Sequence, residues 1–283
     1  MSKKRSPTIK DVASAAGVST ATVSYALNGL DKVSEKIRER VQKVAQEIGY
    51  SRNTAALALK TGRNNIIGVV LPSLNNPVFP ELAKYMQDHA AKRGYGAILV
   101  DSSNEPVTEA RIVELMQRHG IDGAVALLHP SFSMPLAATL PVVSLDAEFE
   151  RLDCVQADHT EGGRLMAEHL YALGHRRVGM LSGNQLLSSS KKRREGFLAA
   201  AKGKLEILWE EEFRFSPTLP AEVIARIQKQ DVTALACVND LVAVAALNAL
   251  KSLSLSAPQD MSVIGFDDML WSAWPVRVSA RTS

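Results

Sequence analysis

Apolar residues in the first fifty positions recur every three or four residues, the spacing that gathers them on one face of a helix. Ile9, Val12, Ala13 and Ala16 make one such face, with Thr8 as its cap and Gly17 as its stop. Val23, Ala26 and Leu27 make a second behind the cap Ser19, closed by Asn28 and Gly29. Ile37, Val41, Val44, Ala45 and Ile48 make a third, capped by Ser34 and followed by Gly49. Three short helices of this kind can share one small core. The tight Ala16-Gly17-Val18 turn between the first two predicts a helix-turn-helix, whose second helix can enter the major groove of DNA.

Residues 51–63 are helix-prone but offer only alanine and leucine for packing, and so short a helix is marginal in water. They read as a linker that folds on contact. From Asn65 onward buried strands alternate with amphipathic helices. The pattern predicts strands at 66–71, 96–101, 124–128, 142–146, 178–182, 234–238 and 262–266. It predicts helices at 79–93, 108–119, 160–173, 189–201, 221–230 and 241–253. Such alternation implies parallel, doubly wound sheets, with functional residues just beyond the carboxyl ends of the strands. Polar residues fall there: Ser73, Asn75 and Asn76 after the first strand, Asp101, Asp146, Asn239-Asp240 and Asp267-Asp268 after later ones.

Composition adds little to the fold and much to the partner. With 46% hydrophobic and 22% charged residues, the 283-residue chain is an ordinary globular protein of two or three folding units. Its net charge of +3 hides an asymmetry: the first 63 residues hold 12 Lys+Arg against 5 Asp+Glu, and the remainder 21 against 25. A basic front on a mildly acidic body suggests a module for a polyanion. Cys154 and Cys237 lie far apart in apolar runs and read as core filler in a reducing compartment. Lys10 and Asp11 interrupt any signal-peptide core, and three prolines break the longest uncharged interval, so a cytoplasmic protein without a membrane span is expected. No nucleophile or phosphate-loop motif accompanies the Asp267-Asp268 pair, whose side chains diverge from adjacent positions. The histidines have no metal-ligand spacing, and His159 and His169 read as surface or capping residues. The expectation is no enzyme, no metal and no cofactor.

Several motifs together are specific. Thr8-Ile9-Lys10-Asp11-Val12-Ala13, Gly17-Val18-Ser19-Thr20-Ala21-Thr22-Val23-Ser24 and Leu27-Asn28-Gly29 resemble the helix-turn-helix of the LacI/GalR family of bacterial transcriptional regulators. Gly49-Tyr50, Ile66-Ile67-Gly68-Val69, Asn76-Pro77, Leu173-Gly174-His175, Gly196-Phe197, Asn239-Asp240 and Ile264-Gly265-Phe266-Asp267-Asp268 extend the likeness to residue 268. The resemblance implies an all-α helix-turn-helix headpiece at 1–50, a hinge at 51–63, and from 64 to 283 an α/β core similar to periplasmic binding proteins. That core would have two doubly wound parallel-sheet subdomains. Beyond Asp268 the family continues through a Leu-Thr-Thr strand and a final helix and strand. This chain departs from that pattern, so a truncated, incomplete second subdomain with exposed apolar edges is expected.

The resemblance also implies roles for residues. Thr20 and Ala21, at the start of the second helix, would reach base edges with a hydroxyl and methyl groups. Ser19, Thr22 and Ser24 would bond phosphates, with Thr8, Asn28 and Asn53 on the same DNA-facing side. Tyr25 stands where many relatives carry a basic residue, and Leu57 where they often carry arginine. Leu59 matches the hinge leucine that wedges into the minor groove. Asp146, Arg193, Asn239 and Asp267 would line an effector pocket, with Asn76 and Phe79 at its rim, suiting a sugar-like or related metabolite. Two alternatives stay open on the residues alone: Arg193 lies in a Lys-Lys-Arg-Arg run that reads equally as a solvated helix end, and Phe79 reads equally as core. The implied partners are a pseudo-palindromic duplex operator, a small-molecule effector and a second copy of the chain. The alternative function is a cytoplasmic small-molecule-binding protein that has lost DNA regulation.

Overall fold

A left-handed glycine sets the headpiece. Gly17 (φ 63°) ends α1 (Ile9–Ala16), and the Val18 N–H turns back to the Ala13 carbonyl at 3.0 Å. Ser19 then caps α2 (Thr20–Leu27), its Oγ accepting from the Thr22 N–H at 3.1 Å. After α3 (Glu35–Glu47), the three helices bury Val12, Ala13, Ala16, Val23, Ala26, Val41 and Ala45 in one core. Those are the apolar faces that the sequence periodicity marks. Arg38 of α3 donates to the Leu30 carbonyl at 3.2 Å and so ties down the loop after α2.

The computed structural model describes residues 7–50, 62–103, 106–129, 140–212, 216 and 218–269. The chain divides into two compact units, Met1–Asn64 and Asn65–Ser283. Among the described residues the second unit holds two all-parallel sheets. The first has the order β2 (Gly96–Asp101), β1 (Ile66–Leu71), β3 (Gly123–Ala126), β4 (Val142–Leu145), β5 (Asp153–Val155). The second has the order β7 (Glu206–Glu212), β6 (Arg177–Ser182), β8 (Ala234–Cys237), β9 (Ser262–Ile264). Helices α4 (Val78–Lys92), α5 (Pro106–Arg118), α6 (His159–Ala172), α7 (Ser188–Ala201), α8 (Ala221–Gln228) and α9 (Asp240–Ser252) alternate with the strands. Each sheet grows first to one side and then to the other, so its strand order reverses between β1 and β3, and between β6 and β8. Such switch points open a crevice at the carboxyl ends of the strands.

Two strands differ from the periodicity reading. Within β7 only Trp209 is buried, and four of its seven residues are glutamate, so an apolar scan passes over it. It is an edge strand whose one buried aromatic fills the space above Gly179, where a Cβ would stand 2.3 Å from the Trp209 ring. The other, β5, is three residues long and half solvated, and it leaves Cys154 only partly buried; Cys237 is the true core cysteine. No helix among the described residues is long and apolar enough to cross a membrane. The departure from the family pattern begins at Met269, and apart from that residue it lies outside the described residues.

Candidate functional site

Thr20 and Ala21 are exposed on the first turn of α2. Their polar neighbours are occupied with one another. The Ser19 and Thr22 hydroxyls lie 2.9 Å apart, and the Asn28 amide donates to the Ser24 carbonyl at 2.7 Å and lies 3.2 Å from its hydroxyl. The Thr8 N–H and hydroxyl both reach the Asp11 carboxylate at 2.7 Å, which fastens the start of α1. Tyr25 is half-buried, and the Lys32 ammonium sits 5.2 Å from its ring centroid, so a cation accompanies the uncharged side chain. Asn53, Leu57 and Leu59 lie outside the described residues.

In the second unit, a cavity of about 340 Å3 lies at the carboxyl ends of both sheets. Asn76, Phe79, Asp146, Arg193, Asn239 and Asp267 all line it. Asn76 is buried and Phe79 half-buried at the start of α4; Asn239 caps α9, its Oδ1 accepting from the Val242 N–H at 3.0 Å. Asp146 and Asp267 adopt left-handed backbone conformations (φ 55° and 95°), as does Asp268 (φ 47°). Non-glycine residues rarely hold that conformation, and such strain gathers at functional sites.

Arg193 is the centre of the site and not a solvated helix end. Its Nε donates to His159 Nδ1 at 3.2 Å, one terminal nitrogen donates to the Val238 carbonyl at 2.8 Å, and the other lies 3.3 Å from Asp267 Oδ1. Its plane rests 3.7 Å from the Phe266 ring centroid. His159 Nε2 in turn bonds Asp146 Oδ1 at 2.9 Å. Because Arg193 can only donate, His159 accepts at Nδ1 and carries its proton on Nε2, the tautomer that donates to Asp146. One connected network thus runs from the end of β4 through α6 and α7 to the loop after β9.

Burial pushes the Arg193 guanidinium below its usual range, against the pull of Asp267 and Asp146. It likewise raises Asp267 in spite of the Arg193 charge. Asp146 is also penalised by burial, but the hydrogen bond from His159 and the charge of Arg193 outweigh that and hold it below the ordinary carboxylate value. Behind them Asp240 accepts the Met269 N–H at 2.9 Å, and burial pushes its carboxyl up to about 7.

His159 corrects the sequence reading. It is 1% exposed and bridges two site residues, whereas the sequence suggested a surface or capping role. The cap is its neighbour Asp158, which accepts from the Glu161 N–H at 2.9 Å. The usable signal was position, since His159 follows the carboxyl end of a strand just as the other site residues do. That strand is β5, which the periodicity missed. His169 is exposed, as the sequence suggested.

Glycines bring the network within reach. A Cβ on Gly163 of α6 would stand 2.0 Å from the Arg193 carbonyl oxygen, and one on Gly196 of α7 would stand 2.0 Å from that of Thr160. Only hydrogen at both positions lets the two helices approach so closely. A Cβ on Gly162 would meet the Phe266 ring at 2.3 Å, so the same tight seam seats the aromatic under Arg193.

A reading helix beside a basic front, and a cleft at the switch points of two parallel sheets, define a ligand-responsive DNA-binding regulator. Comparison with known proteins agrees. Residues 8–53 match the family of bacterial regulatory proteins, lacI family, and residues 64–273 match the periplasmic binding proteins and sugar binding domain of LacI family. The chain belongs to the LacI family of transcriptional regulators. It is 32% identical over 273 residues to the HTH-type transcriptional repressor PurR of Haemophilus influenzae (strain PittEE), covering 93% of this chain and 81% of that one. The ribose operon repressor of Haemophilus influenzae is 31% identical over 272 residues, covering 93% and 82%. Among solved structures, the lac repressor dimer bound to operator and the anti-inducer ONPF superposes with a TM-score of 0.80 at 25% identity, covering 95% of this chain and 85% of that one.

Proposed function

We propose that this chain is a repressor that binds a pseudo-palindromic duplex operator as a homodimer, under the control of a sugar-like or related metabolite held in the cleft. The observation that carries this reading is the joining, in one chain, of an exposed Thr20-Ala21 pair on α2 to a cavity lined by Asn76, Phe79, Asp146, Arg193, Asn239 and Asp267. Thr20 and Ala21 read base edges. Thr8, Ser19, Thr22, Ser24, Tyr25, Asn28 and Asn53 lie along the backbone, and Leu59 in the 51–63 hinge wedges the central base step. One short helix reads too few base pairs to stand out against genomic DNA, and two-fold symmetry doubles the readout. The cleft binds and does not turn over its ligand; its effect on DNA is a coupling free energy between two sites in a cytoplasmic protein.

Selection of the full chain on randomised duplexes tests this. The expected product is a two-fold symmetric motif retained specifically as salt is raised. Recovery of no motif, or of a single asymmetric half-site, contradicts the reading.

A further inference from the structure

The cleft has two unlike walls, and their chemistry restricts the effector. The half of the core built on the first sheet supplies Phe79, Leu82, Leu127, Leu128 and Leu145, an apolar stretch of wall beside its polar Asn76 and Gln156. Facing it are Arg193, Asn239 and Asp267 from the second half, with Asp146 at the end of β4. Arg193 is already engaged on three sides, by His159, Val238 and Asp267, and on its face by Phe266. Its single positive charge stands against two carboxylates. The three serines that open α7, Ser188 to Ser190, also line the cavity and add hydroxyls without adding charge.

Resting on the reading of this cleft as the effector site, we infer that the effector is an uncharged glycoside, a polyhydroxy ring joined to an apolar aglycone. Its ring hydroxyls donate to the lone pairs that Asp146 and Asp267 still present, and its aglycone covers the Phe79–Leu128 side. Each carboxylate has four lone-pair sites, more than its protein partners fill. A bare sugar leaves the apolar wall wet. A sugar phosphate or sugar acid brings further negative charge to a site whose one guanidinium is already matched. The cavity's volume of about 340 Å3 falls in the range, about 300–1,000 Å3, of pockets that enclose drug-sized ligands.

Isothermal titration of the full chain against matched sets tests the inference. The sets are D-glucose, D-galactose and D-ribose; the phenyl β-glycosides of these sugars; the nucleosides adenosine and uridine; and glucose 6-phosphate, galactose 6-phosphate and ribose 5-phosphate. At least one uncharged glycoside is expected to bind tenfold or more tightly than its parent sugar, and the phosphates more weakly than either. In Phe79→Ala protein the ratio of glycoside to parent-sugar affinity falls towards one, and Asp146→Asn weakens the glycoside at least tenfold. A phosphate or a bare sugar as the tightest ligand overturns the inference, as does the absence of binding across all sets; for a tightest ligand of either kind, the cleft reading itself survives if Asp146→Asn weakens it. If Phe79→Ala and Asp146→Asn both leave the tightest ligand untouched, the cleft reading falls as well.

Discussion

Asp240 shows what burial does to a single carboxylate. It is 3% exposed, lies beside Asp267 and Asp268, and is pushed up to about 7 by loss of solvent, a cost that hydrogen bonds from the Met269 and Phe266 backbone offset only in part. Its pKa in the folded chain stands above the ordinary value of 3.8, so the folded state holds this proton more tightly than the unfolded chain does. The stability it contributes is complete below about pH 4 and is lost as pH rises towards 7. Thermal unfolding at pH 5 and pH 8 should therefore show a lower midpoint at pH 8, and Asp240→Asn should shrink that difference. An undiminished difference in the variant contradicts the assignment. The residues around it were unequally legible. Asp146 and Asp267 were legible as polar residues at strand ends, whereas Arg193 came from motif resemblance alone, because composition made it part of a charged run. His159 was missed because a histidine at a helix start has nothing in its local pattern to tell a cap from a bridge; the contact that decides it, to Asp146 thirteen residues away, exists only in the fold.

The seam between α6 and α7 is the element on which the site depends. Gly196→Ala puts a methyl group 2.0 Å from the Thr160 carbonyl oxygen, a backbone atom that cannot swing aside. Overpacking of this kind costs about 1–3 kcal/mol, and the helices must part, which lengthens the Arg193–His159 bond. The expected outcome is a drop of several degrees in the unfolding midpoint of the core together with weakened ligand binding. A midpoint and an affinity both equal to those of the parent would show that the seam is looser than described. Most elements were visible in the sequence because they are amphipathic helices or strands that carry short, mainly apolar runs. The exceptions, β5 and β7, are edge strands: they take their conformation from hydrogen bonds to β4 and β6, which no local periodicity records. Gly196 stands in a family motif, but neither it nor Gly162-Gly163 told of the close seam, since closeness between helices is a property of the pair.

Across the whole molecule the charge division agrees with the division of labour. The first 63 residues carry the positive excess and the remainder the negative, so long-range attraction to DNA favours the headpiece as the part that docks. This much was readable from the sequence directly, as was the break near residue 64, where helical periodicity gives way to β/α alternation. The central claim is that α2 reads bases and does not merely lie against the backbone. The most direct measurement is repeated operator selection with Thr20→Ala protein, whose changed side chain is exposed and outside the headpiece core. The account predicts relaxed preference at one symmetry-related pair of positions, with a loss of about 0.5–1.5 kcal/mol for the hydroxyl contact in each half-site and the spacing between half-sites unchanged. An unaltered motif, or an equal loss of affinity on every sequence, would contradict it.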